Sequence, residues 1–454
     1  MRIGSTSEGT PVTGHTEQAV RPAQGWLPAL GLAALFVLVT FITFQIWQLE
    51  AVKFVENDIS YYGYHLNDML VNGNEVMAEY PLPAVWILQA IYTVGGGWQT
   101  WAPWFSGFML ALTGIVAITL FRRDNARGAL FWILFMGACG PIVWFRFDLI
   151  PAALVAWACL WITAHPRIAG ALVAIGASVK LWPALLAFPM AAPNPLRRTK
   201  GRQRVLSFLV VGLVLGTASL VAVGWERSAS PITWQGERGL QQESVPATPL
   251  MFLRTFTDSP AWRVFLSEYN AIELDGPGVE LLLTVSSVLT AGSFVLTGLL
   301  AWRLVRRFRA DSRHLHEAML LAILAIVLAT IVANKTLSPQ YVTWLGGPVA
   351  ALLLARRSEW LRRPLVVLSV AMVVVAGLTQ YTYPWGTHGI MALPNGSGLE
   401  TSMLILRNLL LVALLGYTTR LAWRATSRPE GEASRLEGAE TEQDSEEAVS
   451  AGAG

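Results

Sequence analysis

Long apolar runs alternate along this chain with short basic turns and with three longer mixed segments. The first 25 residues are polar and carry Gly and Pro, which predicts a disordered head. From Trp26 to Trp47 no charge occurs, and a helix needs about 20 such residues to cross a bilayer. That run is too long for a signal-peptide core and no small-residue cleavage site follows it, so a retained first helix is expected. Further apolar runs lie at 102–121, 128–145, 149–164, 205–224, 279–302, 317–333, 341–355, 364–380 and 402–423. With the first helix they predict ten full spans. No clean internal repeat relates the two halves.

Charge then orients the spans. Basic clusters fall at Arg122/Arg123/Arg127, Arg197/Arg198/Lys200/Arg202/Arg204, Arg303/Arg306/Arg307/Arg309/Arg313, Arg356/Arg357/Arg362/Arg363 and Arg420/Arg424/Arg428. Short Lys/Arg-rich loops stay in the cytoplasm, which places all five on one side and both termini with them. A single crossing at 168–192 would break this parity. Lys180-Leu181-Trp182-Pro183 interrupts that segment, and Pro removes a backbone donor. Two short helices meeting near Lys180 and open to the outer side resolve the conflict, because broken helices are tolerated where they line a wet cavity. The run 82–97 is flanked by Glu79 and Tyr80 and by Trp98, Trp101 and Trp104, which suits an interfacial helix on the outer leaflet. Segments 48–101, 225–278 and 381–401 become outer loops.

Composition supports the same class. The chain of 454 residues is 54% hydrophobic and 14% charged, against roughly 45–50% and 25% in soluble domains. A soluble protein of this size cannot hide so much apolar surface. From residue 425 onward, eight acids against two arginines leave −6, so the preceding 424 residues carry +9 of the net +3. The tail 425–454 is expected to be disordered, acidic and cytoplasmic. Cys139 and Cys159 lie in apolar runs and no Cys-x-x-Cys or His-x-x-x-His spacing occurs, which argues against a disulfide or a His/Cys metal site. The prediction is an all-α polytopic membrane protein spanning 26–424, with about ten transmembrane helices, a broken hairpin of two short ones and an interfacial helix in the first outer loop.

Against this frame a few charges are out of place. Arg146 and Asp148 stand at the outer ends of two spans, Lys180 at the hairpin apex, and Asn334 and Lys335 at the outer end of another. Ionisable residues at membrane depth are costly and point to function. Arg146 and Asp148 could equally form a structural pair, and a single Lys more often snorkels to headgroups. The three cations share one leaflet, however, and no neighbouring carboxylate in the sequence neutralises the lysines, so a phosphate or pyrophosphate there would satisfy them together. The first outer loop supplies acids, Glu56, Asp58, Asp68, Glu75 and Glu79, one of which could act as general base for an acceptor hydroxyl. Aromatics of the other outer segments, Trp225, Trp234, Trp262, Tyr381, Tyr383 and Trp385 near His388, suit sugar platforms or belt anchors.

Asn57-Asp58 in the first outer loop, Tyr80-Pro-x-Pro83, Arg146-x-Asp148, Lys180-x-x-Pro183 and Ser338-Pro-Gln340-Tyr341-x-x-Trp344 occur in this order. Their order and placement resemble glycosyltransferase family 87 of the GT-C superfamily, integral-membrane transferases that use polyprenyl-phosphate sugars. The resemblance runs from the first helix to about residue 345, and the Arg, Trp and Ala richness with the acidic tail looks actinobacterial. It implies a plasma-membrane enzyme, active on the outer face, that moves mannose or arabinofuranose by inversion from a polyprenyl-phosphate donor to a glycolipid or glycan acceptor of the cell envelope. Asp58 would be the base. Arg146, Lys180 and Lys335 would hold the donor phosphate, and Asn57, Tyr80, Asp148, Gln340 and Tyr341 would line the pocket, with the lipid in a groove beside the broken hairpin. Gln340, Tyr341 and Thr343 stand where some mannosyltransferase members carry histidines, and Leu82 stands where a second Pro would follow Pro81. No metal or other cofactor is implied, there being no Asp-x-Asp, and no nucleic-acid partner. The rival readings are a transporter or flippase of lipid-linked sugars and a membrane scaffold.

Overall fold

The computed structural model describes residues 25–257, 260–354 and 358–427. The head, Arg356, Arg357, Arg428 and nearly all of the expected tail lie outside them. Among the described residues seven helices are long and apolar enough to cross a membrane, and the architecture is that of an all-α membrane protein. In chain order these are α1 (Trp26–Trp47), α4 (Trp101–Arg122), α8 (Lys200–Glu237), α10 (Val279–Arg307), α11 (Arg313–Ala333), α13 (Glu359–Gln380) and α14 (Gly398–Ser427). Between them lie α2 (Asn57–Asn72), α3 (Leu82–Val94), α5 (Ala126–Cys139), α6 (Leu149–Trp161), α7 (Pro166–Val179), α9 (Thr248–Phe256) and α12 (Gly346–Leu352). The apolar runs at 128–145, 149–164 and 341–355 thus form helices shorter than the full spans expected of them. Gly140, at φ +73°, and Pro141 end α5 early, and a 3-10 turn over Pro339–Leu345 replaces the start of α12.

A helix that is apolar all round belongs in a core. In α11, 89% of the apolar window is buried, whereas in α1 and α8 the figure is 6%. α11 is therefore the axis, with α10, α12 and α14 packed on it and the lipid-compatible helices outside. The interruption at 168–192 is present. α7 ends at Lys180, whose backbone is extended, and a 3-10 turn over Trp182–Leu186 leads into the short helix Ala187–Met190. α3 has 13 residues and packs on α2, α4, α7 and α8. At about 1.5 Å per residue it falls well short of a bilayer's thickness.

The basic clusters meet at one end of the bundle. Lys200 pairs with Asp311 at 3.5 Å, Arg303 Nε donates to Thr426 Oγ1 at 2.9 Å, and Ser358 donates to Glu317 from both N and Oγ. Arg204 is not a solvated cation of this set. It is buried and donates to the carbonyls of Ile162, Met190 and Ala192, closing the ends of two segments. α14 stays helical through Ser427, past the residue 425 where the tail was expected to begin.

At the opposite end the second mixed segment is more ordered than a loop. α8 continues past a break at Gly224, where φ is +75°, a conformation that glycine adopts without cost. A small antiparallel sheet follows, β1 (Leu240–Gln241), β2 (Arg263–Leu266) and β3 (Ile272–Asp275) in the order β1-β3-β2. With α9 and Leu404 of α14 it encloses a second apolar core around Leu250, Met251 and Leu274. α2 is held against α4 by Trp101, whose Nε1 donates to Ile59 O at 2.7 Å. Gly63 makes that approach feasible, since a Cβ there would lie 2.5 Å from Trp101 Cδ1. Gly63→Ala is expected to destabilise the protein by about 1–3 kcal/mol through overpacking, read as a lower melting temperature in detergent, while Gly31→Ala, which meets nothing within 4 Å, leaves it unchanged.

Candidate functional site

Three backbone features set the site at the end opposite the basic clusters. Asp58 lies in the first turn of α2, where the helix dipole favours a negative charge. After the turn Ile142–Phe145, Arg146 is extended at φ −129° and ψ 137°, and an extended backbone sends successive side chains to opposite sides. Lys180 is extended in the same way between α7 and the next turn.

The result is two crossed ion pairs. Arg146 binds Asp58 Oδ2 through Nη1, and its Nη2 donates to Tyr383 Oη at 3.1 Å. Lys180 Nζ binds Asp148 Oδ1 at 2.7 Å, and Trp344 Nε1 donates to the same oxygen at 3.1 Å. Phe147, between Arg146 and Asp148, packs edge-on against Tyr62 and Tyr80 at 5.8 and 4.9 Å. The Lys180 ammonium lies over the rings of Tyr341, Phe147 and Trp344 at 4.6, 5.3 and 5.6 Å, a cation–π cage. Trp344 stacks on Tyr341 and on Trp182, with centroids 4.2 and 4.8 Å apart.

These contacts correct two expectations. Arg146 pairs with Asp58 rather than with Asp148 two residues on, because the chain turns from extended at Arg146 to helical at Asp148, where α6 begins. Lys180 does have a carboxylate partner, distant in sequence, so it neither snorkels to lipid nor stands uncompensated. The two acids differ in access. The side chain of Asp148 is 2% exposed and that of Asp58 is 25% exposed. Burial pushes the Asp58 carboxyl above its ordinary value of 3.8, and Arg146 opposes that rise. Asp148 and Lys180 also act on Asp58 electrostatically, which puts all four charges within mutual reach.

The other candidates divide. Tyr80 and Tyr341 join the cluster through their rings. Gln340 sits one residue earlier in the same 3-10 turn, its carbonyl accepting from Thr343 Oγ1 at 2.7 Å. Asn57 is exposed beside Asp58. Lys335 is engaged elsewhere, its ammonium donating to the carbonyls of Gly236, at 2.9 Å, and Arg238 at the end of α8. Asp68 accepts from Asn72 and Asn74, and Glu79 accepts from Tyr61 Oη at 2.6 Å. Among the described residues no group of three His, Cys, Asp or Glu could hold a metal ion.

An apolar groove of about 820 Å³ opens between α1 and α4, not beside the broken hairpin. α1 lines it with Phe36, Phe41 and Trp47, α4 with Pro103 and Leu110, and the site end with Glu56, Ile59 and Phe145. Ile59 and Phe145 are the chain neighbours of Asp58 and Arg146, which do not themselves line the groove, and the carboxylate that does is Glu56.

Sequence reasoning passed over Trp344's bond to Asp148 and gave Tyr383 little weight. It also passed over a third buried ion pair, Arg407 with Glu243 at 3.3 Å, braced by Asn408, which donates to Ser244 O and Thr248 Oγ1. The signal for that pair was a cation inside the apolar run 402–423. Burial pushes Glu243 up to about 7 against the pull of Arg407. Comparison with protein-family models gave no match, and comparison with curated proteins gave none either.

Breaking a buried pair strands its partner's charge and costs about 3–5 kcal/mol, whereas replacing both ends by apolar groups costs far less. Asp148→Leu is accordingly expected to destabilise strongly, and Asp148→Leu with Lys180→Met to recover most of the loss, measured by thermal unfolding of the purified protein in detergent.

Proposed function

We propose that this protein is a membrane glycosyltransferase, of the kind that glycosyltransferase family 87 represents, which moves a sugar from a polyprenyl-phosphate donor to a hydroxyl of a cell-envelope glycolipid or glycan. The observation that carries the reading is an apolar, chain-sized groove whose lining residues Ile59 and Phe145 are the chain neighbours of a partly open carboxylate, Asp58, and a buried arginine, Arg146. A lipid-linked phosphate needs this combination: a dry trough for the isoprenoid and a cation at its end. The positive-inside pattern puts this end outside the cytoplasm of a plasma membrane, with both termini within.

In the reaction the acceptor oxygen attacks the anomeric carbon from the face opposite the phosphate and the configuration inverts. Its proton passes to Asp58, the bond from the anomeric carbon to the phosphate oxygen breaks, and the electron pair leaves with the polyprenyl phosphate. Arg146 couples the two ends of this displacement. As Asp58 takes the proton it ceases to neutralise Arg146, whose charge then becomes fully available to the phosphate when that group gains negative charge. Lys180 contributes from the far side of Phe147 while Asp148 holds it in place. Lys335, occupied by the α8 carbonyls, is left out of the donor site.

Asp58→Asn is expected to lower transfer by about a hundredfold or more, assayed with a radiolabelled polyprenyl-phosphate sugar in membranes, without changing expression. The base works only when ionised, and burial raises its pKa. The acid limb of kcat/KM should therefore lie above the ordinary 3.8 of an aspartate, with activity lost as pH falls through that limb. Translocation of intact donor without cleavage of its sugar–phosphate bond would instead favour a transporter of lipid-linked sugars.

A further inference from the structure

We infer that Tyr61, His65 and Glu79 form a subsite for a neutral sugar ring of the acceptor; this rests on the transferase reading above. α2 carries Asp58, Tyr61 and His65 on one side. At 100° and about 1.5 Å per residue, the three lie within about 60° of one another around the axis, with Tyr61 about 4.5 Å and His65 about 10.5 Å beyond Asp58. That length matches one to two sugar rings laid along the helix from the base.

The side chains suit such an occupant. Tyr61 and His65 meet edge to face with centroids 4.4 Å apart, and both remain partly open, in contrast to Tyr62, which turns inward and is buried. Tyr61 Oη donates to Glu79 Oε1 at 2.6 Å, which fixes ring and carboxylate together. Glu79 Oε2 and the His65 ring nitrogens form no hydrogen bond with the described residues, so an acceptor for sugar hydroxyls stands beside an aromatic face for sugar C–H groups.

The loop that carries Glu79 is built to hold still. Arg227, from the part of α8 beyond Gly224, donates to the carbonyls of Val76, Met77 and Tyr80 at 3.3, 3.1 and 3.2 Å. Ser230 Oγ donates to Ala78 O at 2.7 Å. Four carbonyls within five residues are thus clamped by one helix, and such preorganisation lowers the entropic cost of binding. Electrostatics separates the substrates. The Glu79 carboxylate repels a phosphate and tolerates a neutral polyol, whereas the Arg146 guanidinium on Asp58 attracts a phosphate. The donor and the acceptor therefore approach Asp58 from different sides.

Two measurements on the purified full-length protein in detergent test this. In saturation-transfer NMR with methyl α-mannopyranoside and methyl α-arabinofuranoside, wild type is expected to show sugar contact with at least one. Tyr61→Ala and Glu79→Ala should each weaken it about tenfold or more. Tyr61→Phe, which keeps the ring and the fold, should weaken it less, and Trp225→Ala, an exposed aromatic elsewhere, should leave it unchanged. In transfer from polyprenyl-phosphate mannose to octyl α-mannoside, Tyr61→Ala should raise the acceptor KM about tenfold with the donor KM unaltered. Equal changes in both KM values, no change in either, or no sugar contact in wild type overturns the subsite. Sugar contact that the variants abolish, in a protein that transfers nothing, keeps the subsite and overturns the transferase reading.

Discussion

The crossed pairs Asp58–Arg146 and Asp148–Lys180 are the constraint around which one end of the bundle is arranged. Four charges removed from water are tolerated only if each finds its partner with good geometry. Meeting that demand requires irregular backbone: extended residues at Arg146 and Lys180, a helix ended at Gly140, and a 3-10 turn that brings Tyr341 and Trp344 onto the ammonium. Each is a departure from the regular spans that the apolar runs would otherwise form. The irregularities are concentrated where the charges are, and α11, whose buried acid Glu317 lies near its start and is met by Ser358, runs unbroken beside them.

Two carboxylates in one cluster acquire different characters from their surroundings. Asp148 is almost closed off, and one of its oxygens takes both the lysine and the indole N–H. Asp58 has one arginine and a quarter of its side chain open. A carboxylate bound on several sides is a poor base, because taking a proton forfeits every bond it accepts. One bound on a single side and partly desolvated can exchange a proton at modest cost. On the transferase reading proposed above, this asymmetry favours Asp58 for chemistry and Asp148 for positioning, although the two residue types are identical.

What the sequence disclosed, and what it hid, follows from the range of the interactions. Charge sidedness is a property of the linear chain and its spans, so Arg146, Asp148 and Lys180 were identifiable as anomalies, while Asp58 stood out from the other acids of its loop only through the family resemblance. Their pairing was not, since Arg146 and Asp148 are two residues apart in sequence, yet the chain turns from extended at Arg146 to helical at Asp148 and each takes a distant partner. Lys335 illustrates the reverse error. It has the same sidedness as Lys180, but α8 runs past its expected end at 224 to Glu237 and presents carbonyls to the ammonium. The sheet at 240–275 escaped notice because its strands are only two to four residues long. Tyr383 looked like a belt anchor, and only the fold shows it donated to by Arg146.

The same comparison changes which charge is informative. Counting cations at the end away from the basic clusters points to an anionic ligand held by several of them. In the folded chain Lys180 has Asp148, Arg227 has the 76–80 carbonyls, Lys335 has the end of α8, and Arg407 has Glu243. Those cations fasten segments together, and the segments they fasten surround the site: the Glu79 loop, the end of α8 and the sheet with α14. Arg146 differs, because its partner Asp58 is a carboxylate left a quarter open. An acid that can lose its charge to a proton therefore controls whether that arginine is neutralised or free, and on the proposed transferase reading the site's affinity for phosphate becomes a function of the acceptor's proton rather than of a fixed positive charge.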